Sequence, residues 1–253
     1  MAVFHLVQHA EKERRPGDPG LTGRGRAQAA RTAGRLREVG LRAIVSSPLR
    51  RARETASFLA AATGLEVRED ARLRERMNWD GVQPLDAFLA DWAASVRDRD
   101  HVPDCGDSSR ATAARMRACL LELAEAAERA EAAELAEGAE LSARAEPFES
   151  ADAEPGPIAV VTHGGATADL LRTLIGDRAV PAALTDAGVP SCAITTLDVV
   201  PAEFRHPRRP RLLRRRDRVR RASGVSRVGG PSGRAVSRTG GSGCGGRRGR
   251  RRP

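Results

Sequence analysis

Residues 3–9 read VFHLVQH, and residues 158–165 read IAVVTHGG. Each stretch is a short apolar run that ends in a histidine, and in the second stretch two glycines follow that histidine directly. Short apolar runs rich in β-branched residues are typical of strands buried in a sheet. The sequence therefore predicts strands over residues 3–8 and 158–162, each with a histidine, His9 or His163, at its carboxyl end.

Strand-like and helix-like segments alternate on either side of these two runs. Further strands are predicted over residues 43–46, 65–68 and 191–199. Helices are predicted to begin after Thr22 and at residues 47–48, and to cover residues 84–96, 109–123 and 167–175. This alternation predicts an α/β fold: a three-layer sandwich, with a mostly parallel sheet and helices on both faces.

The charges of the 253-residue chain, net +10, are concentrated in two segments. Residues 204–253 contain 18 arginines and one acidic residue, and residues 122–154 contain 11 acidic residues and two arginines. We therefore predict a folded domain over residues 1–203, with an acidic Ala/Glu-rich insertion at about 123–154, and a disordered Arg/Gly-rich tail over 204–253. The insertion is interpreted either as an exposed helix or as a disordered loop.

The composition excludes several classes of protein. No apolar run approaches the roughly 18–20 residues of a membrane span, and the first residues lack the basic and apolar regions of a signal peptide. Aromatic residues make up only 3%, which argues against a surface that stacks nucleic-acid bases. The four cysteines form no CxxC pair, which argues against a zinc knuckle or a disulfide scaffold. We expect a cytoplasmic protein with no membrane partner.

The arginine-rich tail has three interpretations. It binds nucleic acid or another polyanion, it is a terminus without function, or it is the out-of-frame translation of a GC-rich gene. We favour the two interpretations without a binding role, so that nucleic acid is expected, if at all, only at the tail.

The strand ends predict a site for an anion. Ligands of open α/β sheets bind beyond the carboxyl ends of the strands, and helix N-termini add N–H donors that suit phosphate. His9 and His163 follow two strands, and Arg50 and Arg51 lie in the first turn of the helix after residues 46–48. One imidazole can attack phosphorus through a free ring nitrogen, while the other imidazole and an arginine stabilise negative charge.

Five short motifs follow one another along residues 1–199. They are LVQHA at 6–10, LTGRG at 21–25, SSPLRRARETA at 46–56, LRER at 73–76 and VVTHGG at 160–165. In this order they resemble the histidine phosphatase superfamily, which includes the cofactor-dependent phosphoglycerate mutases. The resemblance implies the phosphoglycerate mutase-like form of the α/β sandwich.

The resemblance also implies roles for individual residues. His9 would be the nucleophile, which becomes a phosphohistidine, and Glu75 would be the general acid and then the general base. Arg51 would bind the phosphoryl group, and His163 would be the second histidine of the pocket. Spacing alone does not distinguish Arg50 from Arg51, and the family pattern selects Arg51. Since Glu75 lies between arginines, a solvated salt bridge is its alternative role.

The first motif departs from the family pattern. The family has Arg-His-Gly where this chain has Gln8, His9 and Ala10. Gln8 would take the phosphate-binding position of the arginine with an amide donor but no charge. A lost charged hydrogen bond costs about 1.5–3 kcal/mol, which slows a reaction roughly tenfold to over a hundredfold. Catalysis is therefore expected to be weakened. Thr22 is expected to place a hydroxyl near the substrate.

The sequence thus predicts a phosphatase that hydrolyses a small phosphomonoester through a phosphohistidine on His9, with no cofactor and no metal ion. One alternative is a degenerate family member that binds phosphorylated ligands without turnover. Another is a phosphoglycerate mutase-like phosphotransferase. Substrate specificity is expected to lie in the loops over residues 77–107 and in the acidic insertion.

Overall fold

A five-stranded sheet lies at the centre of the computed structural model, which describes residues 1–142 and 156–205. The strands are β1 (Ala2–Gln8), β2 (Ala43–Ser46), β3 (Val67–Glu69), β4 (Ile158–Thr162) and β5 (Ile194–Val199). The helices are α1 (Gly23–Arg37), α2 (Arg50–Thr63), α3 (Leu85–Arg97), α4 (Ser109–Ser142), α5 (Gly164–Ile175), α6 (Ala182–Ala187) and α7 (Pro201–Arg205). Two short 3-10 helices cover Ala71–Leu73 and Asp177–Ala179.

The strand order is β3-β2-β4-β1-β5, and only β5 runs antiparallel to its neighbour. β1 and β4 are adjacent and parallel, with Gln8 opposite Thr162. The carboxyl ends of these two strands therefore lie side by side at one edge of the sheet. The predicted mostly parallel sheet is confirmed.

Helices cover both faces of the sheet. On one face Phe4 of β1 packs in a core with Met116 and Leu120 of α4 and Leu170 of α5. On the other face the β1 and β4 side chains pack with the apolar stripes of α1 and α2; this second core includes Val7, Val161, Leu36 and Leu59. The alternation of the side chains along each strand supplies apolar residues to both cores. The predicted three-layer sandwich is confirmed.

Three helices differ from the sequence-based predictions. α5 begins at Gly164, with His163 as its N-cap residue, three residues before the predicted start at residue 167. α2 begins at Arg50, with Leu49 as its N-cap residue, so the predicted start at residues 47–48 was wrong. The predicted helix over 109–123 continues to Ser142, and Ala124 and Ala127 are buried in the core under it. The first turns of the predicted acidic insertion are thus part of the folded domain, because their alanines face the sheet.

The acidic insertion and the tail are only partly within the described residues. Residues 143–155 of the insertion and residues 206–253 of the tail lie outside them. α7 crosses the predicted boundary at residue 203, and its Phe204 packs against the core.

No helix among the described residues is long and apolar enough to cross a membrane.

Candidate active site

The two histidines at the strand ends lie side by side. Because Gln8 pairs with Thr162 in the parallel register, the next residues, His9 and His163, leave the sheet at the same level. Their ring centroids are 5.1 Å apart, close to the roughly 4.8 Å spacing of neighbouring strands. Both imidazoles are buried. The adjacency of β1 and β4 is therefore what brings together two residues that lie far apart in the sequence.

The hydrogen bonds of His9 define its tautomer. Its Nδ1 lies 2.8 Å from the carbonyl oxygen of Ala10, and since a carbonyl can only accept, Nδ1 carries the proton. Nε2 therefore keeps its lone pair. Burial, and then the positive charge of Arg51, lower the pKa of His9 to about 3. The imidazole is thus neutral at neutral pH, with one ring nitrogen free to act as a nucleophile.

Arg51 is the arginine that reaches His9. It is buried, and its Nε lies 3.3 Å from His9 Nε2, while Nη1 donates to Asn78 Oδ1 at 3.1 Å. Arg50, the residue before it, is exposed and pairs with Glu54 at 2.7 Å. The ambiguity left by the spacing is resolved in favour of Arg51, because the first turn of α2 directs only that side chain inward.

The loop of His9 is attached to α2 through Thr55. The Thr55 hydroxyl donates to the Arg51 carbonyl oxygen at 2.7 Å and accepts the N–H of Ala10 at 3.0 Å. The backbone of Ala10 does not have a positive φ, so alanine replaces the family's glycine without backbone strain. This connection fixes the nucleophile relative to the helix that carries the arginine.

The Glu75 carboxylate is held by three backbone N–H groups. Oε1 accepts from Arg76 and Ala166 at 2.8 and 2.9 Å, and Oε2 accepts from Gly165 at 3.2 Å. Two of these donors belong to the N-terminus of α5, where a negative charge is stabilised. A Cβ at residue 165 would lie 2.6 Å from Glu75 Oε1, so the glycine allows the close approach. Oε2, with a single long hydrogen bond, is the freer oxygen.

These groups border a cavity of about 400 Å³. Its polar side is formed by His9, Lys12, Arg14, Arg15, Arg51, Glu75 and Asn78. Its apolar side is formed by Met77, Trp79, Leu85, Phe88 and Trp92. With a neutral His9, one lysine, three arginines and one carboxylate give the polar side four positive charges and one negative charge. A net positive charge next to a nucleophilic imidazole suits a phosphoryl group.

His163 and Gln8 are near this cavity but do not line it. His163 is fully buried, and its Nε2 shares a hydrogen bond of 2.8 Å with the Ser47 hydroxyl. Burial, and then Arg51 and His9, lower the pKa of His163 well below its ordinary value. Gln8 is also buried, and its Oε1 has no hydrogen-bond partner among the described residues. His163 thus packs beside His9 without lining the cavity.

Thr22 is engaged elsewhere. Its hydroxyl accepts the N–H of Gly25 at 2.9 Å, as the N-cap of α1, and donates to Glu11 Oε1 at 2.9 Å. Thr22 does not line the cavity. The expected contact between this hydroxyl and the substrate stays a prediction; in the structure Glu11 uses its single O–H donor, and the helix cap uses one of its two acceptor lone pairs.

Sequence reasoning missed several residues of the site. Asn78 orients Arg51, Ser47 orients His163, and Lys12 and Phe88 line the cavity. Lys12 had a signal in the sequence, because it is the single lysine among 43 basic residues. Ser47 lies within the motif at 46–56, but the motif did not indicate its contact with His163. Asn78 and Phe88 lie in a loop and on a helix face that no short motif specifies.

The sequence of the chain matches known proteins over most of its length. The profile described as histidine phosphatase superfamily, branch 1, matches residues 4–142. A probable phosphoglycerate mutase, GpmB of Escherichia coli, is 42% identical over 82 residues, which are 30% of this chain and 38% of the relative. The chain thus spans about two-fifths of the length of the curated relatives that it matches.

Solved structures extend the similarity to the second half of the chain. A mycobacterial glucosyl-3-phosphoglycerate phosphatase in complex with inorganic phosphate is 31% identical, with a TM-score of 0.56, over 78% of this chain and 90% of that one. A structure described as mycobacterial hydrolase 1 is 29% identical, with a TM-score of 0.58, over 78% of this chain and 88% of that one.

Proposed function

This chain belongs to the histidine phosphatase superfamily, and we propose that it hydrolyses a phosphomonoester through a phosphohistidine on His9. The proposal is based on the protonation of the His9 ring and on its position at the cavity. Its proton is held on Nδ1 by the Ala10 carbonyl, and its Nε2 lone pair lies beside the Arg51 guanidinium at the cavity. A neutral imidazole with this tautomer is ready to attack a phosphorus atom that Arg51 holds.

The first step forms a bond between His9 Nε2 and phosphorus, and the bond from phosphorus to the ester oxygen breaks. Glu75, a carboxylate before the substrate binds, takes the proton of the monoanionic ester and passes it to the departing oxygen, so the leaving group is an alcohol. Oε2 is the oxygen that carries this proton, because Oε1 already accepts two backbone N–H groups. The Arg51 guanidinium neutralises charge on the phosphoryl oxygens as the bonds exchange.

The second step releases phosphate. Glu75, now a carboxylate, takes a proton from a water molecule, whose oxygen attacks phosphorus while the bond to Nε2 breaks. The released phosphate carries this proton away, so Glu75 is again a carboxylate, His9 is again neutral, and the site returns to its starting state. His163 acts behind His9, where its neutral ring packs against the nucleophile without adding a positive charge.

Two other functions remain alternatives within the same family. The similarity to a probable phosphoglycerate mutase covers only 38% of that relative, and it favours transfer of the phosphoryl group to a second hydroxyl. Gln8, at the position of the family's arginine, favours a protein that binds phosphorylated ligands without turnover. We prefer hydrolysis to binding without turnover, because His9, Glu75 and Arg51 line one cavity. We prefer it to transfer, because the similarity to the mycobacterial phosphatase covers 90% of that chain.

A hydrolysis assay tests the proposal. Purified protein is incubated with p-nitrophenyl phosphate and with a panel of phosphorylated glycerates and sugars, and released phosphate is measured. We expect turnover, a phosphoryl group trapped on His9 by rapid acid-free quenching, and at least about a thousandfold loss in His9→Ala. Equal rates for the wild type and His9→Ala would refute the proposal. Transfer to an added phosphoglycerate in place of water would identify the mutase, and binding without a trapped phosphoryl group would identify the degenerate member.

A further inference from the structure

Lys12 is a cation in the wall of the cavity, and no acidic side chain among residues 1–142 and 156–205 forms an ion pair with it. It lies in the loop after β1, three residues beyond the nucleophile, and it borders the same cavity as His9, Arg51 and Glu75. It is the only lysine of the chain, whose other 42 basic residues are arginines. Its side chain is half-buried. The charged end of a lysine placed here is therefore at the site where the phosphoryl group is expected to bind.

No acidic side chain neutralises this lysine by direct contact. Within the described part of the chain, the nearby acids pair with arginines instead: Glu13 with Arg15 and Glu11 with Arg24. Burial, and then Arg51, lower the pKa of Lys12, while Glu75 raises it. A half-buried cation next to a second cation is costly unless an anion joins them. The excess of positive charge around Lys12 thus favours the binding of a negatively charged ligand.

The backbone around Lys12 is firmly held. Lys12 forms a bridge with Leu21, and the N–H of Glu11 donates to Gln28 Oε1 at 2.9 Å. A Cβ at Gly25 would lie 2.1 Å from the Glu11 carbonyl oxygen, so the first turn of α1 packs directly on this loop. The backbone of this loop is therefore held around Lys12. The flexible side chain of Lys12 remains free to adjust to a ligand.

The neighbouring position explains why such a cation is needed. Gln8 stands where the family has an arginine, carries no charge and does not line the cavity. Of the other cations that line the cavity, Arg51 is buried, whereas Arg14 and Arg15 are exposed. Apart from Lys12, the described residues therefore supply one buried cation, Arg51, for a phosphoryl group that carries up to two negative charges. We propose that Lys12 supplies the second positive charge and binds the phosphoryl oxygens directly, in place of the missing arginine. This inference rests on the proposed function, since it names a further ligand of the same phosphoryl group.

The experiment measures the binding of inorganic phosphate and of orthovanadate by isothermal titration calorimetry. It uses the full chain in at least 0.15 M NaCl, which screens the exposed arginines. The variants are Lys12→Gln, Lys12→Arg and Arg35→Gln. Arg35 is an exposed residue of α1 that lies away from the cavity, and its replacement removes the same amount of charge. Circular dichroism checks that each variant is folded.

We expect Lys12→Gln to weaken phosphate binding about tenfold to a hundredfold, the loss of one charged hydrogen bond. Lys12→Arg should recover most of that loss, and Arg35→Gln should stay within twofold of the wild type. Binding by Lys12→Gln within twofold of the wild type would overturn the proposal, as would a wild type that binds neither anion.

Measuring turnover distinguishes a failure of this inference from a failure of the proposed function. A wild type that binds phosphate through Lys12, but hydrolyses no ester through His9, contradicts the phosphatase and supports the role of Lys12. An active enzyme whose phosphate affinity and KM do not respond to Lys12→Gln contradicts the role of Lys12 and leaves the phosphatase standing.

Discussion

The two sides of the cavity are built in different ways. The phosphoryl side includes buried groups at a strand end and at a helix start: His9 and Arg51 are less than a tenth exposed, as is His163 beside them. The opposite side is formed largely by α3, in which Ser95 is the only buried residue. Leu85 and Leu89 of this helix are about half exposed.

From this difference we expect one side of the cavity to carry out the reaction and the other side to select the substrate. The groups that hold the reacting phosphorus atom follow a strand or lie on a helix that packs on the sheet. Strand register and packing therefore fix their positions. Groups that contact the remainder of the substrate are carried by a helix with few buried contacts, which can change with little cost to the stability of the fold. We therefore expect substitutions on the phosphoryl side to alter kcat, and substitutions on α3 to alter mainly KM.

Among the substitutions that test this comparison, Arg51→Gln is expected to cause the largest change in activity. It removes the buried charge beside the nucleophile and should lower kcat/KM for p-nitrophenyl phosphate about 10²–10³-fold. Arg50→Gln is the matched control, because the neighbouring arginine is exposed and pairs with Glu54; it should change kcat/KM less than about threefold. Equal effects of the two variants would show that the buried arginine has no special role. Thermal unfolding of both variants checks that the fold is intact.

Gln8→Arg is expected to cause a smaller change, an increase in activity. An arginine here restores the family's charge and should raise kcat/KM roughly tenfold. If Lys12 already supplies part of that charge, the gain should be larger in the Lys12→Gln background than in the wild type. Steady-state kinetics of the two single variants and the double variant measure this coupling. If the effects of the two substitutions on the logarithm of kcat/KM are strictly additive, the two residues do not act on the same anion.

The smallest effect is expected on the other side of the cavity, from Phe88→Ala. Phe88 lines the cavity and lies 6.4 Å from Trp79 between ring centroids. Its loss should raise KM for an aryl phosphate roughly fivefold, about 1 kcal/mol, with kcat nearly unchanged, because this contact is made equally in the ground state and the transition state. Leu89→Ala is the control on the same helix, since Leu89 is exposed and does not line the cavity. A fall in kcat with unchanged KM would contradict the division between the two sides.

Much of the phosphoryl side could be predicted from short motifs. His9 and His163 follow apolar runs that form strands in any α/β fold, so their positions at strand ends were recognisable. The roles of Glu75 and Arg51 came from the family resemblance and stay proposals. Thr22 could not be judged, because a hydroxyl that caps a helix and one that faces a ligand have the same local sequence. The length of α4 was also missed, since the period-three pattern of Ala and Glu hides the alanines that face the core.

The sequence by itself determined the strands, the layers and the identity of the two histidines, because apolar periodicity and strand-end residues are local properties of the chain. Tertiary structure alone decided that Arg51 and not Arg50 faces the nucleophile, that the α5 N-terminus holds Glu75, and that Lys12 enters the cavity. These facts depend on which elements become neighbours in space. Packing sets the direction of each side chain and the charges around it, and no short segment of sequence contains that information.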